Sequence, residues 1–189
     1  MRGRPREDGI DGAVRRAVKE LLAEAGYAKC TVDAIAGRAG VGKAALYRRW
    51  RSKAELVFAA VVHDDAMAGP ADTGALQGDV AEVLAVIKSS LDGPGVREAL
   101  PGLVADLRAD PNLLAGFGER FIGRERAYLI EMLDRAVARG ELARRPDPVA
   151  VHAILLGTVH TWIHLLGEPM GPVRALAPAL TAAIRTLGS

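Results

Sequence analysis

Apolar residues recur at three- and four-residue spacing along almost the entire chain, and nowhere does a run of β-branched residues alternate strictly with polar ones between turns. Such a chain packs the stripe of one helix against another, so an all-α fold of about nine helices with no sheet is predicted. Ala13, Val14, Ala17, Val18, Leu21 and Leu22 form the first stripe, which Gly26 closes as a C-terminal glycine closes a helix. Later stripes run through Val80, Val83, Leu84, Ile87 and Leu91; through Leu100, Leu103, Val104 and Leu107; and through Leu114, Phe117, Phe121, Tyr128, Leu129, Met132, Leu133 and Val137. Turn-forming punctuation separates them: "AGPADTG", "DGPG" at Asp92, "ADPN" at Ala109, "RRPDP" at Arg144 and "GEPMGP" at Gly167. The main break in composition, Met67 to Gly78, divides the chain into an N-terminal part (1–53), a connecting helix and linker (54–78) and a C-terminal domain (79–189).

The stretch "GRAGVGKA" at Gly37 to Ala44 fits G-x-x-x-x-G-K and lacks only the final Ser or Thr of a phosphate-binding loop. Such a loop needs a buried strand before its glycines and a hydroxyl for magnesium, and the sequence supplies neither. What precedes it is "TVDAIAGRA", in which Thr31 suits a helix N-cap and Val32, Ile35, Ala36 and Ala39 share one face. Gly40 permits a left-handed turn, Val41 is a buried linker residue, and "KAALYRRW" opens a second short helix with Leu46 and Trp50 facing inward. Two short helices joined by a glycine turn make a helix-turn-helix. "SKAE" at Ser52 to Glu55 is a capping box that opens a fourth helix, "KAELVFAAVVHDDAM".

Charge is divided unevenly. Residues 1–53 carry 13 Lys and Arg against 6 Asp and Glu, and the remainder 12 against 17, within a formal net charge of +2. A basic quarter on an otherwise acidic chain points to a polyanionic partner for that quarter. The single cysteine, Cys30, excludes an intramolecular disulfide framework and is assigned to packing. The beginning "MRGRPREDGID" lacks an apolar core and no later apolar run is expected to reach the length of a spanning helix, so the chain reads as cytoplasmic, with no membrane partner.

Residues 9–60, with "TVDAIAGRAGVGKAALYRRWRSKAEL" at their centre, resemble the DNA-binding domain of the TetR family of bacterial transcriptional regulators. The C-terminal remainder is similar in its helical pattern and in "LLGEPMGP" before a last apolar helix. The resemblance implies a homodimer whose two heads enter successive major grooves of double-stranded operator DNA, with a C-terminal domain that dimerises and usually binds a small effector. Lys43, Ala44 and Ala45 lie at the end of the recognition helix that reaches base edges, and Lys43 is the donor suited to guanine. Tyr47, Thr31 and Lys53 match family positions that contact backbone phosphates, and Arg48 and Arg49 add positive charge nearby. Gly42 and Ala45 depart from relatives that often carry Ser or Thr there, which leaves base readout sparse. Two readings fit "RGRPR" at Arg2 to Arg6: an extended hook placing Arg4 and Arg6 in a narrow A·T-rich minor groove, or a basic tail that screens phosphates.

In the C-terminal domain, Phe117, Phe121, Tyr128, Met132, His160 and Trp162 are candidates to line an apolar effector pocket, with simple core packing as the alternative for many of them. His160 and His164 stand at i and i+4, a spacing open to a metal, but Thr161 occupies the position where a zinc protease needs Glu, so interface or pocket-wall histidines are the preferred reading. No nucleophile, acid/base pair or cofactor motif accompanies them, and neither an enzyme nor a cofactor is expected. Val149 to Leu166 and Val173 to Leu187 are too apolar to stand exposed, and Gly157, Ala177, Ala179 and Ala182 suit close helix approach, so homodimerisation through these last two helices is expected. The combined reading is a ligand-gated repressor with a hydrophobic effector. A constitutive or architectural DNA-binding dimer is the second reading.

Overall fold

The computed structural model describes residues 4–61, 71–93, 95–166 and 171–189. Its α-helices are α1 (Arg4–Lys29), α2 (Val32–Ala39), α3 (Lys43–Tyr47), α4 (Lys53–Val61), α5 (Leu76–Leu91), α6 (Val96–Ala109), α7 (Pro111–Phe117), α8 (Gly123–Ala138), α9 (Pro148–Thr161) and α10 (Ala177–Leu187). A π turn, Gly118–Ile122, leads into α8; another, Trp162–Leu166, extends α9; and a 3-10 turn, Val173–Leu176, precedes α10. No strand occurs among the described residues. The apolar run from Leu114 to Val137, read from the sequence as one stripe, is helical throughout, but the extra residue of the π turn shifts the phase of the stripe between α7 and α8.

The chain divides into two compact units, residues 1–66 with 93–118, and 67–92 with 119–189. This differs from the division at 53 and 79 read from the sequence, since α6 and α7 fold with the N-terminal helices. In the first unit α1 packs on α2, α4 and α6, α4 on α6, and α6 on α7. Val14, Val18 and Leu22 of α1, Ile35 of α2, Leu46 of α3 and Leu56 and Val57 of α4 are buried together with Val96, Ala99 and Leu103 of α6. Each fully buried aliphatic side chain contributes roughly 1.5 to 3 kcal/mol relative to exposure. Val104 and Leu114, assigned to stripes, are 42% and 48% exposed, because they fall on the outer faces of α6 and α7.

In the second unit α5 packs against α9, α10 and the 3-10 turn, and α8 against α9. The first amide of α5 has no local cap: Ala75 offers no side-chain acceptor, and the Glu141 carboxylate instead accepts from Leu76 N–H at 3.0 Å to either oxygen. Asp79, with no exposed surface, accepts from the N–H and the hydroxyl of Thr73 at 2.7 Å each and from Arg139 Nη2 at 3.0 Å. Arg139 also donates to Glu141 at 2.8 Å and to Asp72 at 3.2 Å, closing a polar network around the start of α5. Burial by itself raises both carboxyl pKa values; the Thr73 and Arg139 hydrogen bonds for Asp79, and the Arg139 and Leu76 bonds for Glu141, outweigh it and hold both below the ordinary carboxylate range.

Pro148–Leu166 is a 19-residue helical run of mean hydropathy 1.6, long and apolar enough by composition to cross a membrane. That overturns the expectation that no run reaches such a length: its only titratable side chains are three histidines, and the π turn carries the helix on to Leu166. Within the chain, α9 and its extension bury Val151, His152, Leu155, Val159 and Ile163 and leave Val149, Leu165 and Leu166 exposed, at 50%, 71% and 59%.

Candidate nucleic-acid interface

The head is assembled by local signals. Thr31 Oγ1 accepts from Ala34 N–H at 3.1 Å and starts α2. Gly40 ends it at φ 67°, ψ 31°, the left-handed conformation that a Cβ disfavours, while Val41 N–H returns to Ala36 O at 3.0 Å. Gly42 then opens α3 without a side-chain cap. The phosphate-loop likeness is thereby accounted for: the stretch is the end of one helix, a turn and the start of another, with no strand before it. Ser52 Oγ accepts from Glu55 N–H at 3.1 Å as a capping box requires, and the Glu55 carboxylate accepts from Arg51 N–H.

Leu46 anchors α3 in the core at 1% exposure, and the residues around it face outward. Lys43 and Ala44 are exposed, Ala45 is half-buried, and Tyr47 is 55% exposed, a large aromatic side chain left in water. Trp50, assigned to the core from its spacing, is only half-buried, because α3 ends at Tyr47 and Trp50 lies past the helix. Val41, expected to be buried, is also half-buried.

The cations do not stand alone. Lys43 Nζ pairs with Asp33 in the first turn of α2, and that hydrogen bond raises the Lys43 pKa above the ordinary lysine value. Arg49 pairs with both carboxylate oxygens of Asp11 on α1, at 3.0 and 3.1 Å, so it fastens the end of the recognition segment to α1. Arg38 bridges α2 to α1 through Glu20 at 3.2 Å and through both oxygens of Glu24 at 2.8 and 2.9 Å. The Arg38 hydrogen bond lowers the Glu24 pKa. Lys53 Nζ lies 3.6 Å from the centroid of the Tyr27 ring. None of the partners Asp11, Asp33 and Tyr27 was legible as such, because each is ten or more residues distant in sequence and no periodic pattern links it to its cation.

Arg4 and Arg6 lie in the first turn of α1, which tells against the extended hook, one of the two readings of Arg2 to Arg6; Arg2 lies outside the described residues. Pro5 near the start of a helix loses no needed N–H. Cys30 has no exposed surface, and burial raises the pKa of its thiol, as suits a packing role.

The effector candidates separate. Phe117 belongs to the first unit, edge-to-face with Phe58 at 4.5 Å between ring centroids. Phe121, Tyr128, Met132, His160 and Trp162 belong to the second; Phe121 and Met132 are 3% and 2% exposed, while Tyr128, His160 and Trp162 are half-buried. The His160 and His164 ring centroids lie 5.1 Å apart with the rings tilted by 34°, and His152 Nε2 lies 3.3 Å from Glu125. The Trp162 indole N–H is buried without a hydrogen-bond partner. Ala177, grouped with the small residues of a helix contact, is buried in its own unit at 2%, whereas Ala179 and Ala182 are exposed.

A short helix with an exposed face, joined to α2 by a glycine turn and carrying Lys43 at its start, defines a helix-turn-helix head. Comparison with known proteins agrees. Residues 15–60 match the family of bacterial regulatory proteins, tetR family, and residues 70–184 match the tetracyclin repressor-like C-terminal domain. The HTH-type transcriptional regulator YdeS of Bacillus subtilis is 30% identical over 172 residues, 88% of this chain and 84% of its own length. The DNA-binding transcriptional repressor TetR of Mycobacteroides abscessus is 27% identical over 71% of this chain and 72% of its own. Among solved structures, a putative TetR-family regulator from Rhodococcus sp. superposes with a TM-score of 0.63 at 23% identity, over 96% of this chain and all of its own. FadR of Bacillus subtilis, in complex with stearoyl-CoA, superposes with a TM-score of 0.62 at 18% identity, over 93% and 97%. The chain belongs to the TetR family and is a helix-turn-helix transcriptional regulator.

Proposed function

We propose that this regulator is a homodimeric repressor that leaves a near-palindromic operator when a small apolar molecule binds its second unit. The observation that carries the DNA half of this reading is the outward face of α3, where Lys43, Ala44 and Tyr47 are exposed around a buried Leu46. Lys43 reads guanine, Tyr47, Thr31 and Lys53 contact phosphates, and Arg48, exposed, adds charge. Arg49 is assigned to holding the head together through Asp11.

Dimerisation is supported by the exposed apolar residues of α9 and its extension, Val149, Leu165 and Leu166, and by the exposed Ala179, Ala182 and Leu187 of α10. A two-fold contact would cover each copy of this surface with the other and set the heads about 34 to 36 Å apart, one turn of DNA. The unpartnered indole N–H of Trp162 supports an effector that brings a hydrogen-bond acceptor, with Tyr128 and His160 as further half-buried polar groups. The burial of Phe121 and Met132 favours the second reading, a constitutive dimer without an effector, because such residues pack as core.

Fluorescence anisotropy on the DNA upstream of the protein's own gene, against a scrambled duplex and across salt concentrations, tests the reading. Tight, saturable binding to the upstream DNA alone is the expected result. Equal, steeply salt-dependent binding to that DNA, to the scrambled duplex and to genomic fragments would reduce the head to phosphate contacts and overturn the operator reading.

A further inference from the structure

Tyr27 stands where three elements of the first unit meet. Gly26, at φ 71°, ψ 176°, breaks the helical path of α1, a conformation left to glycine, and Tyr27 follows it into the interior at 8% exposure. Its hydroxyl donates to Asp106 Oδ2 on α6 at 2.6 Å. Its ring carries the Lys53 ammonium, at the first position of α4, 3.6 Å from the centroid. On the α6 side the ring is accommodated by Gly102, where an added Cβ would lie 2.2 Å from Cδ1 and 2.8 Å from Cγ of the ring. Three separate observations thus fix one aromatic ring between α6 and a cation assigned to a DNA phosphate.

We propose that Tyr27 is the positioning residue for Lys53, its ring seating the ammonium for the phosphate contact and its bond to Asp106 making that seat depend on where α6 lies. The proposal rests on the reading of Lys53 as a phosphate contact. Lysine is a flexible point charge, and a ring face that holds the ammonium removes rotamers it would otherwise lose on meeting DNA. The face attracts the cation through its negative quadrupole, and a phenol that donates to a carboxylate carries more electron density in the ring. Burial, and then the Asp106 hydrogen bond, raise the Tyr27 pKa above the ordinary value, which keeps the proton on the phenol as donor. A shift of α6 would move Asp106 and the wall at Gly102, and with them the seat of Lys53. Affinity would then change equally for all sequences, because every duplex presents the same phosphate backbone.

The test uses the full-length protein, a labelled mixed-sequence duplex and a salt series, with the slope of log affinity against log salt as the readout. Lys53→Ala is expected to lower the slope by about 0.9 per head. Tyr27→Leu and Gly102→Ala, which keep Lys53, are expected to lower it by the same amount, and neither adds to Lys53→Ala when combined with it. Tyr27→Phe keeps the ring and is expected to restore the parental slope. Parental slopes for both Tyr27→Leu and Gly102→Ala, beside a reduced slope for Lys53→Ala, would overturn the positioning role. A parental slope for Lys53→Ala would overturn it by showing that Lys53 neutralises no phosphate. Circular dichroism checks both variants, since the Cβ added at Gly102 must displace the ring, and where one of them does not fold the other decides. A parent protein that binds no duplex would sink the DNA-binding reading itself, and that failure is distinct because it appears before any variant is made.

Discussion

Both units join their helices through arginine–carboxylate pairs, but in different surroundings. In the head, Arg38 with Glu20 and Glu24, and Lys43 with Asp33, lie in water; Arg38 is 36% exposed, Glu24 56% and Asp33 67%. In the second unit, Arg139 serves Asp79, which has no exposed surface, and Glu141, which caps α5. Water screens the first set and compensates either partner when the other is removed. A buried carboxylate has no such recourse, so its donors carry stability. The difference leaves the head's pairs screened and replaceable by water, and gives the second unit's charges to cohesion.

Asp79→Ala should break this contrast most severely if the second unit is held as described. Loss of the acceptor for Thr73 and Arg139 is expected to cost about 3 kcal/mol, read as a lower urea midpoint at unchanged m-value. Acid should act on the same network. The Asp79 and Glu141 pKa values are lowered by folding, so their contribution is complete above the unfolded carboxylate value of about 4 and is lost as pH falls below it. Urea midpoints between pH 7 and pH 3 should therefore drop in the parent, and the drop should be smaller in Arg139→Ala.

The head should respond in binding and not in stability. Lys43→Ala is expected to cost about tenfold in discrimination at one base pair. Equal losses on all sequences would reassign Lys43 to phosphate. Tyr47→Phe should weaken binding about fivefold on every duplex, as loss of one phosphate hydrogen bond does, and an effect confined to one operator would contradict it. Glu24→Gln marks the small end of the series: no measurable shift of the urea midpoint is expected, and a clear one would mean that the Arg38 pairs hold the head together after all.

The elements of the head were readable because their signals are local. Thr31 caps through a residue three positions away, Gly40 ends α2 through its own backbone angles, and Ser52 with Glu55 opens α4 within one turn. Leu46 was readable as core and Trp50 was not, because periodicity assumes the helix continues and α3 stops at Tyr47. The same assumption carried one phase across the π turn between α7 and α8 and set Val104 and Leu114 in a core they do not enter. Burial of Phe121 and Met132 depends on which faces of several helices converge, which spacing along one helix does not specify.

By itself the sequence determined an all-helical chain, a helix-turn-helix in its first sixty residues and the family to which both belong, because caps, turns and stripes act over one or two helical turns. The tertiary structure alone decided that α6 and α7 fold with the head, that Glu141 caps α5 and that Asp33, Asp11 and Tyr27 each hold one of the head's cations. Those partners meet across ten to sixty-five residues of chain, and only the packing of the helices between them brings the groups within hydrogen-bond or ring-contact distance.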